Sequence, residues 1–553
     1  MTVAAADERT RIGWLLAGLA VGVAVTAVVV LLAVRVIGGG PPPDAAPAPS
    51  LSLAGDTGID QVYNGAFHYF VGGGVAPFDC NGDGFPDIYL PGGSSTAALY
   101  VNESTPGDVR FSRLADPVTD LESVTGAYPI DIDSDSITDL VVLRVGENVV
   151  LRGLGSCHFE RANEDWGIDG GNYWTAAFSA TWEQGQTFPT LAFGNYLRLA
   201  ENGSHDQCED HQLLRPDGQA YLPPTDLSPG WCTLSVLFSD WDRTGERDLR
   251  ATNDRHYYRD GEEQLWRVAP GQPPTLYTAA DGWQPMQIWG MGIATQDLTG
   301  DGYPEVFLTS QGDNKLQTLT DGADEPAYRD IALALGATAH RPFAGDTTLP
   351  STAWHAEFDD VNNDGYMDLL VTKGNVDEQV GFAMEDPNNL LLGQPNGTFV
   401  EGAQAAGFVD YSRSRGAALT DLDLDGALDA VVVERREPVT VWHNSGVLAD
   451  GSPTGSWLAV RLAQPAPNVD AIGSWVEVRS HGATTEREVT IGGGHAGGEL
   501  GWIHFGLGDA DAAELRVTWS DGSMTSWLPI EADTFLLVDK ATGTAETWSP
   551  LQD

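Results

Sequence analysis

Oxygen ligands recur in this chain at a spacing that suits a hard cation. In Asp421-Leu-Asp423-Leu-Asp425-Gly426-Ala427-Leu-Asp429, carboxylates stand at positions 1, 3, 5 and 9 around a glycine at position 6. This is the ligand order of the first nine positions of a calcium loop, in which position 7 offers only its backbone carbonyl. Six stretches carry the pattern. The first has Asp79, Asn81, Asp83 and Asp87 with the Phe85 carbonyl, and the second Asp131, Asp133, Asp135 and Asp139 with Ile137. Ser136 replaces the turn glycine in the second, which predicts a weaker site. Further along come Asp240, Asp242, Thr244 and Asp248 with Glu246, then Asp297, Thr299, Asp301 and Glu305 with Tyr303. The last two are Asp360, Asn362, Asp364 and Asp368 with Tyr366, and the opening example with Ala427.

A seventh stretch, Trp182–Thr190, has no carboxylate at an odd position. It is expected to keep the turn and lose the ion, with Gln184 and Gln186 as candidates to hold it shut. Asp and Gly also form turns that hold no metal, but six turns in one register favour ligation. An all-oxygen, flexible cage suits Ca²⁺ better than Mg²⁺ or Zn²⁺. About six Ca²⁺ are expected, and their binding would contribute to folding.

Catalytic signals are weaker. No GxSxG, HExxH or P-loop is present, so no residue is assigned as catalytic. Ahead of the acidic turns stand Trp174, Trp231, Trp289, Trp354, His355 and Arg415. These could line a mouth for a sugar or an acidic ligand, or they could fill space between sheets. The cluster Asn253–Tyr258 includes His256, a candidate acid or base and equally a hydrogen-bond hub.

These residues must be positioned by a repeated element. The turns begin at Asp79, Asp131, Trp182, Asp240, Asp297, Asp360 and Asp421 and lead into apolar strands such as Val306–Thr309 and Leu369–Thr372. A period of this length, built from strands and turns, predicts four-stranded blades of a β-propeller, seven in number, over residues 51–450. From 455 to 553, short alternating runs such as Trp475–Arg479 and Glu514–Trp519 predict a small β-sandwich. Gly492–Gly498 between them reads as a flexible loop, with His495 as an optional contact residue.

The 553-residue chain carries 79 acidic against 29 basic residues, a net charge of −50. Such a field argues against nucleic acid as a partner. Residues 13–34 are uncharged and mostly apolar, long enough to cross a bilayer as a helix. Arg9 and Arg11 precede them, and after Arg35 no Lys or Arg appears until Arg110. This bias predicts a signal-anchor with residues 1–12 in the cytoplasm and everything after the helix exported; a cleaved signal peptide is the alternative. Residues 35–50, rich in Gly, Pro and Ala, read as a spacer. On an exported chain, Cys80, Cys157, Cys208 and Cys232 favour two disulfides with three possible pairings. We favour Cys208–Cys232 and Cys80–Cys157.

The acidic loops, with the glycine-rich run Gly72-Gly-Gly-Val-Ala-Pro77 before the first, resemble the FG-GAP/VCBS repeats of integrin-α-type propellers. Asp470-Ala-Ile-Gly473, Gly492-Gly-Gly494, His504-Phe-Gly-Leu-Gly508 and Val517-Thr-Trp519 followed by Asp521-Gly-Ser523 look like an ASPIC/UnbV domain. Together they resemble the cartilage acidic protein family and its bacterial relatives. The resemblance implies an extracytoplasmic module that binds or adheres to a protein or glycan. An exported enzyme acting on polysaccharide through the aromatic residues is the alternative.

Overall fold

A computed structural model describes residues 46–199, 207–254, 261–320 and 322–550. The expected membrane helix at 13–34 lies outside them, as does Arg255–Tyr258 of the His256 cluster. Among the described residues no helix is long and apolar enough to cross a membrane.

The chain is all-β. Each acidic turn joins the first and second strands of a four-stranded antiparallel sheet, as in Ala76–Phe78 and Asp87–Leu90, followed by Ala98–Asn102 and Phe111–Leu114. The turn has a fixed place because its ninth residue opens the second strand: Asp87, Asp139, Thr190, Asp248, Glu305, Asp368 and Asp429. Among the described residues seven such units follow one another, the second and third joined into one eight-stranded sheet where Tyr173 and Trp174 pair with Gly146 and Val145. Their first strands are Ala76–Phe78, Val124–Ile130, Tyr173–Thr181, Thr233–Ser239, Gly290–Gln296, Ala353–Asp359 and Ser414–Thr420.

Each first strand packs against that of the next sheet, and the seventh packs against the first, so these strands line the inside of a closed ring. Between neighbouring sheets lie separate apolar cores, for example Ile88, Leu90 and Tyr100 with Val431, Val433 and Val441 across the junction of first and seventh. The N-terminal strand Pro49–Leu53 supplies the outer strand of the seventh sheet, with Leu51 opposite Asn444 and Leu53 opposite Trp442. This pairing closes the ring with chain segments almost 400 residues apart. It also shortens the expected spacer, because Pro49 and Ser50 already belong to a strand and Ala48 is buried.

Six of the seven inner strands carry a register shift near their N-terminal end, as between Val124 and Gly126 or Ser414 and Ala417. Such bulges bend a strand and re-aim its side chains.

Residues 456–548 form the expected sandwich. One sheet orders Ile503–Gly508, Ser456–Ala463, Thr534–Asp539 and Thr544–Trp548, with the middle pair parallel. The other orders Ala483–Glu488, Trp475–Ser480, Ala512–Thr518 and Leu528–Glu531. Leu458, Val476, Phe505, Leu515, Val517 and Val538 pack between them. The sandwich sits on the acidic-turn side of the ring: Trp502 Nε1 donates to the Gly84 carbonyl at 3.0 Å, and Asn468 N to Ser134 Oγ at 3.0 Å. Gly492–Gly498 is not a free loop. It is buried among the inner strands, where His495 is fully enclosed.

Both disulfides have the favoured pairing. Cys80–Cys157 ties the first acidic turn to the second sheet, and Cys208–Cys232 spans 24 residues within the third repeat.

Candidate metal centres

The acidic loops share one hydrogen-bond plan. The position-1 carboxylate accepts backbone N–H groups from within its own turn: Asp79 from Gly82 and Gly84, Asp297 from Gly300 and Gly302, Asp421 from Asp425 and Gly426. At position 5 the carboxylate accepts the N–H of position 7, as Asp83 does from Phe85 and Asp364 from Tyr366. These bonds wind the chain so that the odd-numbered side chains turn inward. Glycine at position 6 takes a positive φ in the first, fourth, fifth, sixth and seventh loops. Ser136 adopts φ 70° in the second, a strained choice for a residue with a Cβ.

The ninth residue has a second task. Asp87 accepts from Cys80 N at 2.8 Å and from Asn102 N at 2.8 Å, tying the loop to the third strand. Asp139 does the same with Ile132 and Gly153, Asp368 with Val361 and Gly393, and Asp429 with Leu422 and Asn444. In the fourth loop Asp248 accepts from Trp241 Nε1, Tyr277 Oη and Val268 N. Glu305 reaches Leu298 N and Thr318 Oγ1 in the fifth.

Asn102 and Asn444, each fifteen residues after a position-9 aspartate, have no place in the ligand pattern read from sequence. Asn102 Nδ2 donates to the Pro86 and Leu422 carbonyls and Asn444 Nδ2 to Val361 and Leu428, so each bridges two neighbouring loops. Their equal offset from position 9 was the available signal.

In the second loop, oxygens of Asp131, Asp133 and Asp139 lie within 4.8 Å of one another; in the seventh, those of Asp421, Asp423 and Asp429 do. His443 joins Asp423 and Asp425 in a similar group, a residue the ligand pattern alone does not indicate. Its Nε2 is 3.3 Å from Asp423 Oδ2. A further group, Cys80, Asp87 and Cys157, is a disulfide beside a carboxylate and offers no thiolate.

Burial lifts these acids. Asp87 and Asp131 are pushed up to about 7 and Asp364 and Asp425 to about 6, with neighbouring loop carboxylates adding to the rise at Asp87, Asp131 and Asp425. Asp139, Asp360, Asp368, Asp421 and Asp429 are raised well above the usual carboxylate range, burial again leading. Asp133 Oδ1 and Asp423 Oδ1 are buried without a hydrogen-bond partner. Both are position-3 oxygens, and the donor set is hard oxygen, so the residues present fit a divalent cation. The fourth loop differs in opening onto a hollow of about 460 Å³ lined by Asp242, Thr244, Glu246 and Asp248.

The third turn is sealed by protein. Glu183, at an even position, turns inward, where its Oε1 accepts from Arg215 Nε at 2.6 Å and from Thr190 Oγ1 at 2.7 Å. Gln186 Oε1 accepts the Glu183 N–H at 3.1 Å, so Gln186 does help to close the turn, whereas Gln184 is exposed.

The aromatic candidates require correction. Trp174 and Trp354 are each 1% exposed, His355 6% and Arg415 0%. Trp174, Trp354 and Arg415 pack in the ring's interior, while His355 lines a cavity of about 140 Å³ there with Ile293, Ala417 and Gly494. Trp174 and Trp354 share an apolar cluster with Val71, Met291 and Leu234. Arg415 lies 4.0 Å over the Trp354 ring and donates to the carbonyls of Phe70, Ser414 and Val376. Only Trp231 and Trp289 remain half-buried, the latter against Phe382.

A family model described as FG-GAP-like repeat matches residues 297–371 and 360–432, and one described as ASPIC and UnbV matches 464–545. The chain carries FG-GAP-like repeats and a C-terminal ASPIC and UnbV domain. The first FG-GAP match starts at Asp297, the opening ligand of the fifth loop, and the second at Asp360, that of the sixth. No functionally curated protein matches the chain. Among solved structures, the chain is similar to BBS1N in complex with ARL6DN (10% identity, 72% of this chain and 98% of that one, TM-score 0.41). It is also similar to an Agrocybe aegerita lectin specific for non-reducing terminal N-acetylglucosamine (16%, 66% and 93%, TM-score 0.35). A puromycin-hydrolyzing peptidase of Mycobacterium tuberculosis is a third (13%, 76% and 58%, TM-score 0.35).

Proposed function

We propose that this protein is an exported, calcium-loaded β-propeller that acts as a binding or adhesion module for a protein or glycan. In this reading the seven sheets are blades, the ASPIC and UnbV domain caps their loop face, and residues 13–34 hold the chain in the cell membrane. The position-3 oxygens of Asp133 and Asp423, buried beside further carboxylates with no partner of their own, carry the calcium part. Asp79, Asp131, Asp240, Asp297, Asp360 and Asp421, with the residues at positions 3, 5, 7 and 9 of their loops, would hold one ion each. A bound divalent cation would add to the partial compensation that Arg152 gives Asp133, Arg461 gives Asp79 and His443 gives Asp423.

The interaction role follows from the family likeness together with two disulfides, which suit an oxidising compartment. An adhesion module needs a rigid frame outside the cell, and ion-locked loops provide one. Of the residues on which the enzymatic alternative leans, Trp354 is enclosed, His355 lines an inner cavity and Trp289 is half-buried.

The test is retention of the purified ectodomain on protein and glycan arrays in millimolar Ca²⁺ and in chelator. Calcium-dependent retention without turnover of the retained ligand supports the reading. Turnover of a polysaccharide would replace it with the enzyme.

A further inference from the structure

Ile491–Leu500 leaves the C-terminal sandwich and enters the ring. Along ten residues it meets the inner strand of every sheet. The Ile491 carbonyl accepts from Ser179 Oγ at 2.5 Å in the third sheet, and Gly493 N donates to the Val236 carbonyl at 2.9 Å in the fourth. Gly494 N donates to the Ile293 carbonyl at 2.7 Å in the fifth, and His495 N to His355 Nδ1 at 3.1 Å in the sixth. In the first sheet Pro77 accepts from Leu500 N at 3.2 Å, while Gly497 bridges to Ala127 in the second. In the seventh, Gly416 faces the His495 carbonyl.

The fit depends on missing side chains on both partners. A Cβ on Gly126 would stand 1.8 Å from the Ala496 carbonyl oxygen, and one on Gly74 2.1 Å from it. A Cβ on Gly416 would press on Gly74 and on the His495 carbonyl, and one on Gly292 would meet the Trp354 and Gly494 carbonyls. Each of these obstacles is backbone, which cannot swing aside. The glycines ahead of the acidic loops are therefore explained by what lies against them. On the inserted side, Gly492, Gly493 and Gly494 take positive φ.

His495 anchors the centre. Its Nδ1 is 3.1 Å from the Met291 carbonyl and its Nε2 accepts the Gly72 N–H at 3.2 Å, so the imidazole is neutral with its proton on Nδ1. Its ring centroid is 5.1 Å from that of Trp354. Burial presses its pKa down to about 3, in keeping with those bonds.

We propose that the C-terminal domain is the resident occupant of the ring: the inner strands bind Ile491–Leu500 as they would an extended peptide, which makes ring and domain one cooperative unit. Backbone hydrogen bonds to exposed strand groups supply such recognition, and pockets shaped for single residues supply its selectivity. The contacts of Ile491–Leu500 are with the inner strands and add to those the sandwich makes with the acidic turns.

The experiment places a protease site in the full chain at the exposed turn Asp450–Ser452, which joins ring to sandwich. After cleavage, the two fragments are expected to co-elute in size exclusion and to melt in one transition, separating only in denaturant. Separate elution as two folded pieces would overturn the proposal. A second readout is hydrogen exchange in uncleaved His495→Ala. Amides of 235–239 and 291–294 are expected to exchange at least about tenfold faster, the effect of losing about 1.4 kcal/mol; unchanged exchange would also overturn it.

Discussion

Arg215 Nε stands 2.6 Å from Glu183 Oε1, inside the one turn of the ring that lacks the ligand pattern. Glu183 is 4% exposed, and its other oxygen accepts the Gly271 N–H at 3.0 Å. A guanidinium thus takes the place that a metal would hold in the other turns. Removing one partner of a buried pair leaves the other uncompensated and costs about 3–5 kcal/mol. Arg215→Ala is expected to lower the urea midpoint accordingly, by the same amount in Ca²⁺ and in chelator. A loss that appears only in chelator would show that the third turn binds an ion after all.

Glu434 gives a pH dependence separate from the metal loops. It is fully buried, its Oε1 accepts from Ser414 Oγ at 3.0 Å, and its Oε2 has no partner. Burial raises its pKa from 4.5 to about 8. A raised folded-state pKa means stability that is complete below pH 4.5 and lost as pH rises through 8, at about 1.4 kcal/mol per unit. Glu434→Gln should match the wild type at pH 5 and exceed it at pH 8.5 in denaturant titrations. Equal stability at both values would refute the assignment.

The loop carboxylates have the same sign. With Asp87 and Asp131 at about 7 and Asp364 and Asp425 at about 6, the metal-free ring should lose stability as pH climbs from 4 to 8. A cation replaces those protons. The rise in thermal midpoint on adding Ca²⁺ is therefore expected to be larger at pH 8 than at pH 5, which differential scanning fluorimetry can read directly.

Cys80–Cys157 closes 77 residues and places Cys157 Sγ 3.5 Å from Asp87 Oδ2. Cross-linking a loop of that length is worth about 4 kcal/mol through the unfolded chain. Cys80→Ser with Cys157→Ser should lower stability by that order. It should also weaken the first loop more than the seventh, seen by comparing cation titrations with Asp83→Asn and Asp425→Asn backgrounds.

Trp354 and Arg415 supply a contrast between packing and binding. Trp354 Nε1 donates to the Gly374 carbonyl at 2.7 Å while its ring lies under Arg415. Trp354→Ala should cost about 3–5 kcal/mol of stability. Any ligand retention, normalised to folded protein, should be unchanged.

Much of this was readable because it is local. An acidic turn needs its oxygens within nine residues, so loops, period and strand starts show in the chain. The alternating pattern of 455–553 likewise marks a sandwich, and four cysteines leave few pairings. What escaped depends on long-range contact. Gly492–Gly498 has the composition of a free loop, and only seven strands arriving from elsewhere bury it. Trp354, His355 and Arg415 have the residue types of a binding mouth, but Met291, Val376 and His495 come from distant segments to cover them. Glu183 stands at an even position of its turn, and Arg215, 32 residues on, draws it inward.

The central claim is that divalent cations occupy the six acidic loops and lock the ring. Calcium content and thermal midpoint, measured on one chelated preparation before and after it is returned to millimolar Ca²⁺, test it together. The account predicts about six ions per chain and a large upward shift, since each site held at a hundredfold excess over its dissociation constant adds about 2.7 kcal/mol. Fewer than two ions bound, with an unmoved midpoint, would contradict it.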